Sequence, residues 1–248
     1  MAILVELSGY WAHYRVISTN HTTCLTYPTP PRTALLGKLG AVMGLTYAEV
    51  MEKWEPIVEM GFQWVSPFIE EIVMHKRFKL ENKYWAKPDG IRSVLKNIYG
   101  WEEKSETIKS FDANKLNTLD SISYLRPADP SGRLVSLWFI NSPKEEKIYE
   151  ALQKPVYPLT YGTGEALVKI VSIRKVNAKL IKGEIKTKSS VPSEGHPENA
   201  YLSIMPRRAK GYKRGEDFVR VWTPQKEEIT VVPLFGTYCV NEECFGVM

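Results

Sequence analysis

Cysteine is scarce in this chain, histidine nearly so, and no apolar run is long. Three cysteines among 248 residues argue against a disulfide framework. Cys239 and Cys244 stand in "CVNEEC", but no further Cys or His lies near enough in sequence to complete a zinc ligand set. Both therefore read as ordinary thiols, and no metal is expected. No stretch approaches the roughly 20 consecutive apolar residues of a membrane-spanning helix. The opening "MAILVELSGYW" has no basic start and carries Glu6 inside its apolar stretch, so it is a poor signal peptide. The expectation is a cytoplasmic protein with no membrane partner. "GTGEA" (162–166) lacks both the fingerprint and the strand–helix setting of a nucleotide-binding loop, so no cofactor is implied. The excess of base over acid is modest, 33 Lys and Arg against 28 Asp and Glu. Its placement matters more than its size.

What is present is a clear alternation of strand and helix patterns. Ile3, Val5 and Leu7 share one face of a strand over Ala2–Ser8. The aromatic and basic cluster "GYWAHYR" (9–15) follows, then a polar stretch read as a loop. In "YPTPPRTALLGKLGAVMGL" (27–45), Pro28, Pro30 and Pro31 force an extended chain and then permit a helix start. Thr33 or a neighbour can cap that helix, Leu35, Leu36, Leu39, Val42 and Met43 form its buried face, and Gly44 stops it. A short helix over "TYAEVMEKW" comes next. Phe62 to about Leu80 is strand-like, and a long polar insertion runs from Glu81 to Pro130. "RLVSLWFI" (133–140) is a buried strand. "NSPKEEKIYEALQ" is a helix, with Ser142 and Glu145 as a capping box and Pro143 at its first position. "EALVKIVSI" (165–173) is a further strand.

This order, β-α-β-β-α-β, is the ferredoxin-like arrangement, which RNA-recognition domains also use. The expected fold is α+β. Residues 1–175 form a ferredoxin-like (RRM-like) domain with an insertion around 80–130, and residues 176–248 a small β-rich C-terminal domain. Within the latter, "RKVNAKLIKGEIKTK" (174–188) reads as a charged hairpin, and "PRRAKGYKR" (206–214) as a basic loop carrying Arg207 and Arg208.

The glycines at 37, 40 and 44 fall three or four apart, which leaves one helix face bare. Such a face admits either a neighbouring element or a phosphate backbone, the latter helped by Arg32 and Lys38. "MHKRFKLENKYWAK" (74–87) mixes Lys76, Arg77 and Lys79 with Tyr84 and Trp85. Cations neutralise phosphates and aromatic faces stack unpaired bases, so this segment reads as an RNA contact.

The pair "GYWAHYR" and "YPTPPRTALLGKLGAVMGL" resembles the start of the Cas-five family, RAMP-type subunits of type I CRISPR effector complexes (Cascade). "PVYPLTYGTGEALVKI" (155–170) resembles that family's segment ahead of its last ferredoxin-like strand, although Thr160 and Tyr161 stand where the family often has Tyr then Leu. The matching segments cover about a quarter of the chain, and the Pro-rich "YPTPPRT" leans towards the I-A or I-B branch. The resemblance implies a non-catalytic subunit that holds the 5′ handle of crRNA and contacts the Cas-seven backbone subunit and the large subunit of the complex. It makes the insertion after Leu80 the candidate for a β-hairpin thumb. The RNA-binding set is then Arg15, Tyr27, Arg32, Gly37, Lys38, Lys76, Arg77, Lys79, Tyr84, Trp85, Arg207 and Arg208.

One branch of that family cuts precursor RNA without metal, which needs a base and an acid such as Tyr, Lys and His close together. His75 adjoins Lys76 here, and Tyr27 or Tyr84 could approach. Adjacent strand residues point to opposite faces, however, which opposes a shared site. His13 lies in the aromatic cluster, and His21 and His196 in loops. A metal-independent endoribonuclease thus stands as the alternative, with no catalytic residue assigned.

Overall fold

The computed structural model describes residues 1–16, 23–78, 117–210 and 214–248. The chain runs β1 (Ala2–Gly9), β2 (Thr23–Cys24), α1 (Arg32–Met43), α2 (Tyr47–Lys53), a 3-10 turn (Glu55–Ile57), β3 (Glu59–Trp64), β4 (Phe68–Phe78), β5 (Asn117–Pro127), β6 (Leu134–Asn141), α3 (Glu145–Gln153), β7 (Leu159–Thr160) and β8 (Leu167–Val176). It continues through β9 (Lys179–Ile181), β10 (Ile185–Thr187), β11 (Val191–Pro192), β12 (Ala200–Lys210), β13 (Arg214–Pro224), β14 (Ile229–Val231), β15 (Thr237–Val240) and β16 (Glu243–Gly246). The fold is α+β and mostly strand. Among the described residues, no single helix is long and apolar enough to cross a membrane.

These elements fall into two compact units. One comprises Met1–Thr19, Leu25–Glu71 and Ser123–Met248, the other Asn20–Cys24 and Ile72–Ile122. In the second unit, β2 pairs in parallel with β5, Thr23 opposite Ser121 and Cys24 opposite Ile122.

The first unit is built on a five-stranded sheet in the order β3-β6-β1-β8-β7. β1 is central and antiparallel to both neighbours: Val5 lies opposite Trp138 on one side and Ile173 on the other. Its alternation sorts the two cores. Ile3, Val5 and Leu7 face the cluster that holds α1 and α3, while Ala2 and Leu4 face a second cluster with Leu137, Phe139, Phe245 and Val247. A third small core gathers Ile185, Val191, Trp222, Ile229 and Val231.

Helix α1 follows from its sequence. Pro31 is extended at the N-cap, and Leu35, Leu36, Leu39 and Val42 are wholly buried. Each such side chain contributes roughly 1.5–3 kcal/mol on leaving water. No side chain caps the start, so the expected role of Thr33 is not realised. Gly44 adopts φ 68° and ends the helix, its N–H directed at Gly40 and Ala41 carbonyls. Thr46 then caps α2 in a reciprocal box with Glu49. The three glycines serve different ends. Gly37 is exposed with open space beside it, whereas a Cβ on Gly40 would lie 2.9 Å from Val50 of α2.

Four local expectations are corrected. Helix α3 starts at Glu145, so Ser142 does not box with it; its Oγ accepts instead from the Lys144 N–H. Residues 174–188 do not form one hairpin, because β9 pairs with β15 and β10 with β14. Of the basic segment 206–214, Pro206–Lys210 is not loop but the end of β12, with Arg208 opposite Glu216 on β13; residues 211–213 lie outside the described residues. Cys239 and Cys244 are not separate thiols but a disulfide, because the β15–β16 hairpin sets them directly opposite each other.

The two interior glycines predict opposite responses. Gly37→Ala should stabilise the chain by about 0.5–1 kcal/mol through helix propensity. Gly40→Ala should destabilise it, because Val50 is buried and the new methyl has nowhere to go. Urea midpoints of both variants check this.

Candidate nucleic-acid interface

The two cations of the proline–glycine segment lie inside the protein. Arg32, 5% exposed, opens α1 and spends its guanidinium on the framework. Nε donates to the Met248 carbonyl at 2.8 Å, Nη1 to Glu55 Oε1 at 2.7 Å, and Nη2 to the Glu55 and Val58 carbonyls at 2.8 and 3.3 Å. Burial pulls its pKa down, and the Glu55 carboxylate opposes that. A phosphate would have to displace Glu55.

Lys38, one turn and a half further on, has no such partner. Its Nζ lies 3.3 Å from Tyr14 Oη, 4.9 Å above the Tyr14 ring and 5.8 Å from the Tyr161 ring. Burial alone lowers its pKa to about 7. The same enclosure pushes the Tyr14 phenol well up, assisted by Tyr161. Tyr27 is also buried, and its N–H donates to the Tyr14 carbonyl at 2.8 Å. Gly37 is the exposed member of this group.

The aromatic and basic cluster after β1 is locked by main-chain pairing. Ala12 bridges to Leu125 and Arg15 to Thr26. Thr26 Oγ1 accepts from the Tyr14 N–H at 2.8 Å, and the Thr26 N–H donates to Ser123 Oγ at 2.7 Å. His13 is buried, with Nδ1 2.8 Å from the Ser123 carbonyl. A carbonyl only accepts, so the proton sits on Nδ1. Burial lowers the His13 pKa, Ser123 opposes this, and Arg15 adds to it. Arg15 itself is exposed.

Arg207 and Arg208 stand on β12. Arg208 Nε reaches Glu55 Oε1 at 3.2 Å, so one carboxylate oxygen serves Arg32 and Arg208 together. Arg207 Nη1 lies 3.3 Å from Asp217, with its guanidinium 3.9 Å over the Phe235 ring. Lys76 and Arg77 lie on β4, where the side chains are outside the description. Lys79, Tyr84 and Trp85 fall outside the described residues altogether.

One exposed pair escaped sequence reasoning. Arg133 Nη2 donates to Tyr10 Oη at 2.7 Å, and its guanidinium lies 4.5 Å from the ring centroid. Tyr10 is 61% exposed. A solvent-facing aromatic beside a guanidinium can stack a base and meet a phosphate. Tyr10 belongs to a visible aromatic cluster, but nothing in sequence links it to a residue 123 positions away. Among the described residues, no three His, Cys, Asp or Glu side chains converge as a metal site requires.

No family model matches the chain, and no curated protein does. Solved structures do. A CRISPR protein from Archaeoglobus fulgidus is similar along 100% of this chain and 99% of its own, at 18% identity and a TM-score of 0.56. This chain has the fold of a CRISPR protein. A chain of a CRISPR RNA-guided surveillance complex shares the fold over 94% of this chain and 92% of its own, at 14% identity and a TM-score of 0.54. The CRISPR-protein fold therefore extends through the C-terminal strands as well as the five-stranded sheet.

Two substitutions separate the buried cations. In the unfolded chain Lys38 keeps its proton up to its ordinary 10.5, but the folded chain releases it near 7. Between those values the unfolded state binds more protons, so stability should rise with pH, by on the order of a few kcal/mol across the window. Lys38→Met should remove that slope and stabilise the protein at neutral pH, as urea midpoints from about pH 7 to 9 would read. Arg32→Ala should instead cost about 3–5 kcal/mol, because it leaves the largely covered Glu55 carboxylate and three main-chain carbonyls beside one exposed arginine. Arg32→Lys should rescue little, since one ammonium cannot span four acceptors.

Proposed function

We propose that this chain is a Cas-five-type RAMP subunit that binds the 5′ handle of crRNA in a type I CRISPR surveillance complex. The observation that carries the reading is the sheet. In chain order β1, α1, β3, β6, α3 and β8 run β-α-β-β-α-β, and in space the strands stand β8-β1-β6-β3. That order supports a ferredoxin-like arrangement, on a chain whose fold is similar to CRISPR proteins over 94 to 100% of its length. The insertion around 80–130, read as the thumb, begins just after β4 and takes in β5. The Pro-rich "YPTPPRT" supports the I-A or I-B branch. The expected protein partners are the Cas-seven backbone subunit and the large subunit.

In this reading Arg15, Arg207 and Arg208 act on handle phosphates, together with Lys76, Arg77 and Lys79 just ahead of the thumb. Tyr84, Trp85 and the Tyr10–Arg133 pair offer stacking faces, and Gly37 a bare point on α1. Arg32 and Tyr27 are bonded into the interior of the first unit, where Lys38 is buried as well. The subunit binds without cutting. Tyr14 and Lys38, the phenol and amine that lie together, are buried, and His13 has its Nδ1 proton tied to a carbonyl.

The test uses labelled repeat RNA and processed crRNA with the full chain in EDTA across a salt series. Binding without cleavage, weakening as salt rises, is expected. Arg15→Gln should reduce the slope of log affinity against log salt by about one phosphate contact. A discrete cut in the repeat would replace the reading with a metal-independent endoribonuclease. Absence of binding, alone and with the backbone subunit present, would overturn it.

A further inference from the structure

A groove of about 680 Å³ opens along β12 in the first unit. Tyr201, Leu202, Ser203 and Ile204 line it in succession. Neighbouring strand residues point to opposite faces. Four in a row can line one groove only where the groove follows the edge of the strand. β12 is such an edge: its sheet runs β11-β13-β12, and among the described residues β12 has no strand partner beyond β13. The facing wall includes Leu25, Pro28, Phe68 and Leu125.

The first half of this edge lacks the protection that Pro206, Arg207, Arg208 and Lys210 give the second. Exposed edges carry lysines, prolines or bulges that refuse another strand. Ala200–Met205 has none of these, and its pairing with β13 is regular. Tyr201, Leu202 and Ile204 are exposed, Ile204 by 60%. Phe218 on β13 continues the apolar surface at 51% exposure.

The geometry points to a docking site for an extended polypeptide segment, apolar and flanked by a basic residue, which adds to β12 as a further strand. The open edge offers N–H and C=O groups at strand spacing, which another main chain satisfies. The charge of the lining decides against nucleic acid. Its charged member is Glu70, and no Lys or Arg lines the groove. A phosphate backbone would be desolvated beside a carboxylate with no cation to receive it, whereas a Lys or Arg on the incoming strand would pair with Glu70. This inference does not rest on the handle-binding reading.

The probe is a fluorescein-labelled nine-residue peptide of alternating Val and Thr with Lys at both ends, titrated into the full chain. It should bind, and hydrogen exchange should slow at the amides of Tyr201–Met205. A version N-methylated at three successive central residues blocks both peptide edges and should bind about tenfold more weakly or worse, from the lost main-chain hydrogen bonds. Ile204→Lys should weaken binding similarly while leaving the melting temperature unchanged. Glu70→Lys should reverse the preference for the Lys-ended peptide over a Glu-ended one. Failure of the peptide to bind overturns the proposal, as does equal binding of the N-methylated form. Protection of the same amides by oligouridylate instead of the peptide, or concentration-dependent self-association lost in Ile204→Lys, would assign the edge to RNA or to a second copy and likewise overturn it.

Discussion

One guanidinium ties the first unit together. Arg32 joins the start of α1 to the carboxylate and carbonyl of Glu55, to Val58 at the entrance to β3, and to the main chain of Met248. Met248 in turn donates its N–H to Met60 on β3. The net gain from a buried ion pair over apolar packing is small, but an orphaned partner is costly. The arrangement therefore acts as a constraint. α1 can cross the sheet in one place, and the leucines of its inner face settle there.

The same helix holds a second buried cation under opposite terms. Arg32 keeps its charge because carboxylate and carbonyl oxygens surround it, while Lys38 meets a phenol oxygen and two ring faces. With burial unopposed, its ammonium gives up its proton far more readily than an exposed lysine does. Six residues apart in sequence, two basic side chains thus behave as different chemical groups. Glu55 extends the first arrangement outward by accepting from Arg208 on β12, which links the C-terminal hairpin to the start of α1.

The surface divides by charge as the interior does. Around Tyr10, Arg133 and Arg15, cations and an aromatic face lie at the surface. Along the edge of β12 the lining is apolar and its charge negative. Surfaces of opposite charge attract different ligands, and long-range attraction makes that sorting effective when they are kept apart.

Much of the fold was legible in short stretches. Alternation over Ile3, Val5 and Leu7 marked the central strand, helical spacing marked α1 and α3, and Gly44 marked a helix end, because burial and backbone conformation act on neighbouring residues. The candidate site was legible only as composition. Whether an arginine meets phosphate or Glu55 depends on a residue 23 positions away, and whether Tyr10 finds Arg133 on one 123 away. Strand pairing has the same character: β9 sought β15 instead of its neighbour, and Cys239 met Cys244 because a hairpin placed them opposite. Local sequence settles which elements form, since periodicity and turn chemistry need no distant partner. Which cations are buried, which edges stay open and which thiols join are settled by long-range contacts, whose energies belong to pairs that the linear order does not bring together.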